Sequence, residues 1–122
     1  MIPYTLLVRQ MVYNQLMTTL KSNPTLQDIQ AYVAQTAVER GFDSSTVTQR
    51  CLLLGEEVGE LYKAIRKSHG KLGMATEDYD AQPQEELADI LLLACSIANA
   101  LDLDLEQAFR DKENKNSERS WK

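Results

Sequence analysis

From Leu87 to Leu101 the chain reads LADILLLACSIANAL, apolar nearly all round a helix. No other stretch restricts the fold as tightly. A helix without a polar face must be covered on several sides, so this one is expected at the centre of a helical assembly. Its longest uninterrupted apolar run, Ile90 to Cys95, falls far short of the ~20 residues needed to span a bilayer. Acids open the helix. Glu86 and Asp89 are spaced i, i+3 and share a stripe with Leu93, Ile97 and Ala100, which places them at the start of an inward row.

A second acidic pair lies in Gly55-Glu56-Glu57-Val58-Gly59-Glu60. The apolar stripe of this segment is Val47, Cys51, Leu54, Val58, Leu61 and Ile65. Glu57 falls on its shoulder, while Glu60 lies further round with Leu53, Glu57 and Ala64. Glu56 points almost directly away. Were the two acidic helices antiparallel, Glu57, Glu60, Glu86 and Asp89 would converge on one small volume. Burying that much unpaired charge is prohibitive, and the natural counter-charge for an all-oxygen site is a hard divalent cation, Mg²⁺ or Mn²⁺. Gly55 and Gly59 read equally well as a notch for another backbone or as tolerated surface glycines.

Helix signals divide the rest of the chain. A helix is expected from about Tyr4 to Lys21, with a short strand over Tyr4–Val8 as its alternative, and Ser22-Asn23-Pro24 breaks it. Thr25 suits an N-cap, Leu26, Ile29, Val33, Ala37 and Arg40 share one face, and Gly41 stops that helix. Asp43, Ser44 or Ser45 caps the next helix, which runs to about Ser68. A loop follows over His69–Gln82, and Pro83 opens the apolar helix. Asp102 or Asp104 caps the last helix, whose inward stripe begins with Leu105, Ala108 and Phe109 and continues as Lys112, Asn116 and Arg119. The expected fold is all-α: an antiparallel four-helix-type bundle over 23–122, with an additional N-terminal helix in a 1–22 extension.

At 122 residues with 43% hydrophobic content, the chain can build one modest core, and self-association is the expected support. A net charge of -5 argues against nucleic-acid polymers and anionic membranes as partners. Cys51 and Cys95 lie in apolar helical patterns without a CxxC spacing, which reads as buried thiols more readily than as a disulfide. With no basic-then-apolar leader at the N-terminus, the expected location is the cytoplasm.

Acids holding a metal, beside Lys112, Asn116 and Arg119, suit a phosphorylated substrate and hydrolysis of a phosphoanhydride. Seven residues of helix set Lys112 and Arg119 about 10 Å apart, comparable to an extended triphosphate. His69 is the lone histidine, so a Ser-His-Asp triad has little to draw on, and the Glu-x-x-His motifs of di-iron bundles are absent.

The pattern EExxE followed by ExxD, here Glu56-Glu57-Val58-Gly59-Glu60 and Glu86-Leu87-Ala88-Asp89, resembles the MazG-type nucleoside triphosphate pyrophosphohydrolases of the all-α NTP pyrophosphatase superfamily. The tail from Lys112 through Asn116 to Arg119 resembles that family's KxxxNxxR ending. The resemblance covers roughly Leu26 to Trp121. It implies that Glu57, Glu60, Glu86 and Asp89 ligate Mg²⁺, and that Lys112, Asn116 and Arg119 contact phosphates. Glu56 would act behind the ligands or at a subunit contact. The implied reaction releases a nucleoside monophosphate and pyrophosphate, in a homodimer or homotetramer whose sites a neighbouring subunit sometimes completes. Phe42, Tyr79 and Trp121 are the aromatic candidates for holding a base, and the N-terminal extension would pack at a subunit interface. Two other readings compete: a helical oligomer that binds nucleotides or a partner without turnover, and a purely structural helix-pairing protein.

Overall fold

A computed structural model describes residues 18–69 and 82–120, and every regular element in them is an α-helix. The first, α1 (Leu26–Arg40), begins where a capping box forms. The Thr25 hydroxyl accepts from the Asp28 amide, and the Asp28 carboxylate accepts from the Thr25 amide at 3.0 Å. It ends at Gly41, whose φ of 77° lets the Phe42 amide turn back to the Ala37 carbonyl at 2.8 Å. A left-handed residue at this position costs glycine little, so both ends of α1 follow the sequence expectation.

Most of the helix expected over Tyr4–Lys21 lies outside the described residues. Its last part, Thr18–Lys21, is irregular and not helical. The Thr18 amide and hydroxyl both donate to Glu39, and Lys21 pairs with Asp28 at 3.1 Å. These contacts hold the segment alongside α1, which competes with coiling it.

The second helix, α2 (Val47–His69), is capped by Thr46 rather than by Asp43, Ser44 or Ser45. Thr46 and Gln49 exchange bonds, the Gln49 amide donating to the hydroxyl and the Thr46 amide to the Gln49 carboxamide. The inward side keeps Val47, Leu54, Val58 and Leu61 of the expected stripe, all half-buried, and departs from it at Cys51 and Ile65. Arg50 and Ala64 are buried, Leu54, Glu57 and Leu61 are half-buried, and Cys51 and Ile65 are exposed. Gly55 and Gly59 face open space, since a Cβ at either would meet nothing within 4 Å.

Pro83 occupies the first turn of α3 (Pro83–Ala100), as expected. This helix lies between α1 and α2 and packs on both. It is antiparallel to each: Gln30 of α1 meets Asn99, while Arg50 of α2 meets Ser96. Cys95 is wholly buried at its middle, and burial pushes that thiol's pKa up. Both cysteines are free thiols, so the expectation of burial holds for Cys95 and fails for Cys51. Asp102, at φ 54°, ends α3 in the left-handed region, where a short polar side chain is tolerated.

Asp104 caps α4 (Leu105–Ser117) by accepting from the Gln107 amide. Gln27 and Gln30 of α1 hold this start, Gln30 accepting from the Leu105 amide at 2.9 Å. From there α4 runs back along α1, with Phe109, Glu113 and Asn114 gathered around Leu26. The expected inward stripe is not inward: no residue of α4 is buried, and Phe109 is 62% exposed. The helix is bonded to α1 at its start, through Asp104 and Leu105, and among the described residues Leu26 is the apolar side chain gathered near Phe109.

The buried apolar core of the described residues is small, comprising Val33, Ala64, Cys95 and Ala98. Leu52, Tyr62, Leu87 and Leu91 are exposed. The all-round apolar character of α3 is therefore only partly used within the described chain.

Candidate metal centre

Antiparallel packing of α2 on α3 brings the two acidic segments together. One carboxylate oxygen each from Glu57, Glu86 and Asp89 lies within 4.8 Å of the other two. Glu57 and Glu86 are half-buried and Asp89 is exposed, so the cluster sits at the mouth of the helix interface, not in its depth. Glu86 occupies the first turn of α3, where the positive end of the helix dipole favours an acid.

Three like charges this close resist ionising together. A hydrogen bond with Glu86 raises the pKa of Glu57 first of all, followed by desolvation and then by the charges of Asp89, Glu86 and Glu60. Crowded carboxylates sharing a proton are the arrangement a divalent cation relieves, and an all-oxygen donor set suits a hard ion. The residues therefore fit Mg²⁺ or Mn²⁺. Glu60 is exposed beside the trio without joining it, although its charge is felt at Glu57. Glu56 is exposed as well.

Next to the cluster is a cavity of about 260 Å³ between α1, α2 and α3. Glu57 and Asp89 form part of its wall, with Val33, Leu53, Leu92 and Leu93 as its apolar lining and Thr36, Ser45 and Ser96 as polar points. Arg40 and Phe42 also line it, both with exposed side chains. The other aromatic candidates, Tyr79 and Trp121, lie outside the described residues.

Lys112, Asn116 and Arg119 are placed elsewhere. None of them lines the acid-walled cavity. Because α4 starts at the far end of α3 and pairs antiparallel with α1, each further turn carries it away from Glu57 and Asp89. Lys112 and Arg119 are exposed, and Asn116 is half-buried, donating to Glu113 at 3.0 Å.

One residue at this site has no counterpart in the sequence reading. Arg50 is 8% exposed and also lines the cavity. A charged residue one step off an apolar stripe reads as a surface group, and only the packing of α3 over it shows otherwise.

The motif resemblance has support from known proteins. The MazG nucleotide pyrophosphohydrolase domain matches residues 43–122 of this chain. YpjD of Bacillus subtilis (strain 168), itself an uncharacterized protein, is 37% identical over 92 residues, covering 71% of this chain and 78% of its own length. The domain match begins in the α1–α2 loop, so α1 lies before it yet supplies a wall of the cavity.

Proposed function

Because this chain belongs to the MazG nucleotide pyrophosphohydrolase family, we propose that it hydrolyses a nucleoside or deoxynucleoside triphosphate between the α- and β-phosphates. Water adds across the P–O–P bond, yielding a nucleoside monophosphate and pyrophosphate. The observation that carries this reading is the meeting of Glu57, Glu86 and Asp89 beside an apolar cavity. These three residues, with Glu60 swinging in as a fourth, would hold Mg²⁺ or Mn²⁺. A cation so held supplies charge neutralisation for phosphate oxygens and lowers the pKa of a water.

The protein's own groups then do the positioning. The cavity wall of Val33, Leu53, Leu92 and Leu93 takes the nucleoside, with Phe42 at its rim to cover the base. Arg40, at the same rim, offers a guanidinium to the phosphate chain. Glu56, facing outward, supports the ligands from behind or meets a neighbouring subunit.

Lys112, Asn116 and Arg119 would bind phosphates, and because α4 runs away from the acids of its own chain they would do so in a neighbouring copy's site. A homodimer or homotetramer is the assembly we propose, and the exposed Leu52, Tyr62, Leu87 and Leu91 support it. Among the described residues no helix is long and apolar enough to cross a membrane. The free thiols Cys51 and Cys95 support a reducing compartment, the cytoplasm.

The test is to incubate the purified protein with each of the common NTPs and dNTPs plus Mg²⁺ and to measure pyrophosphate. Release from at least one nucleotide, abolished by EDTA and restored by Mg²⁺, is the expected result. Absence of turnover with all of them would contradict the proposal.

A further inference from the structure

Arg50 is fastened on three sides without a carboxylate. Its Nε donates to the Ser45 carbonyl at 3.0 Å, and Nη2 donates to the Asp43 carbonyl at 3.1 Å. Nη1 donates to the Ser96 carbonyl at 2.7 Å and to the Ser96 hydroxyl at 3.3 Å. Thus one guanidinium ties the α1–α2 loop, α2 and α3 together. Burying a charge without a counter-ion is costly, and among the described residues no acid pairs with it.

The spacing relates this clamp to the acids. Arg50 and Glu57 are seven residues apart on α2, and Ser96 and Asp89 are seven apart on α3. Since the helices are antiparallel, the Arg50–Ser96 contact and the Glu57–Asp89 approach are rungs of one interface, about 10 Å apart. At one rung carboxylates repel; at the other a rigid fork pulls the same two helices together.

We propose that Arg50 is a positioning residue for the carboxylate cluster, setting the α2–α3 separation at which Glu57, Glu86 and Asp89 can share a divalent cation. This rests on the metal-site reading above. Bonding only neutral acceptors, three carbonyls and the Ser96 hydroxyl, has a consequence: a guanidinium paired with Glu57 or Asp89 would remove a ligand, whereas this one orders the site and leaves every carboxylate available. Lysine cannot replace it, because an ammonium lacks the planar fork that reaches three carbonyl groups from one point.

The experiment compares wild type with Arg50→Lys, which keeps the charge and loses the fork. Mn²⁺ binding is titrated without nucleotide, circular dichroism melting checks the fold, and kcat and KM are measured on any nucleotide the wild type hydrolyses. The expected result is an unchanged helical signal with Mn²⁺ affinity weakened about 10-fold or more, and kcat falling in step while KM moves less than about threefold. A purely structural role would lower the melting temperature and leave Mn²⁺ affinity of the folded protein intact. That result overturns the inference and leaves the metal site standing. If the wild type binds Mn²⁺ and the variant binds it poorly, but neither hydrolyses any nucleotide, the inference holds and the hydrolase reading fails. If the wild type binds no Mn²⁺, both fall. Should Arg50→Lys not fold, Ser96→Ala removes only the hydroxyl bond: affinity weakened about twofold to fourfold supports the inference, and wild-type affinity overturns it.

Discussion

The two ends of α3 treat polar groups in opposite ways. At the end near Asn99, donors meet acceptors, and Gln30 and Asn99 bond each other in both directions. Gln30 donates to the Asn99 carboxamide at 3.0 Å and to the Leu103 carbonyl at 2.6 Å, while its own carbonyls accept from Asn99 and from the Leu105 amide. Two residues before Gln30 in α1, Asp28 sits in the capping box beside Lys21, and the Thr25 amide bond and then Lys21 lower its pKa. At the end near Glu86 three acids face each other, and the pKa of Glu57 is raised. Matched groups hold helices in place. Opposed charges cost stability, so the acidic end is where a ligand has most to offer the chain.

Substitutions at the two ends should separate these roles, beginning with the largest effect. At the acidic end, Asp89→Asn or Glu57→Gln should lower pyrophosphate release by about 100-fold or more, since partners behind a metal ligand alone cost 10- to 100-fold. Steady-state assays check this, and each protein should retain its fold. At the matched end, Gln30→Ala strands the Asn99 side-chain oxygen, the Leu103 carbonyl and the Leu105 amide, while the Asn99 amide keeps its bond to the residue-30 carbonyl. Chemical denaturation should show a loss of about 2–4 kcal/mol, with the Mg²⁺ requirement of the remaining folded protein unchanged. A weakened metal response there would blur the distinction between the ends. Thr25→Ala removes the cap of α1 and should cost about 1 kcal/mol, read as a lower melting temperature with activity intact.

The smallest effect is in pH dependence without metal. A raised Glu57 pKa means the folded state binds a proton that the unfolded state has released between glutamate's ordinary pKa and the folded one. Stability contributed by Glu57 is therefore greatest below the ordinary value and falls as pH climbs through that window. Glu57→Gln should flatten this part of the stability–pH curve, and solvent screening keeps the change small. A stability that instead rises through the same window would point to an unrecognised cationic partner for Glu57.

Local chemistry made much of the fold legible. Thr25, Gly41, Pro83 and Asp104 each act on their own backbone neighbourhood, and each stands where its residue type places it. Of the four acids expected to converge between antiparallel α2 and α3, the spacing finds Glu57, Glu86 and Asp89 together, while Glu60 stays outside the trio. The family, too, was readable from the paired acidic motifs. Tertiary packing hid the rest. An apolar-only stripe chose Cys51 over Arg50, because nothing in the local pattern reveals that Ser96 and the α1–α2 loop satisfy a buried guanidinium. Gln30 was hidden in the same way, since its partners lie across the chain in α3 and at the start of α4. Continuing the α4 stripe past Phe109 points its basic face inward, but helix periodicity does not say which neighbour, if any, that stripe will meet.

The most direct measurement is crystallographic. Crystals grown with Mn²⁺ and recorded near its absorption edge should show an anomalous peak about 2.2 Å from carboxylate oxygens of Glu57, Glu86 and Asp89. An Mn²⁺-bound protein whose peak lies elsewhere, with those three side chains turned apart into solvent, would contradict the assignment of this cluster as the metal centre.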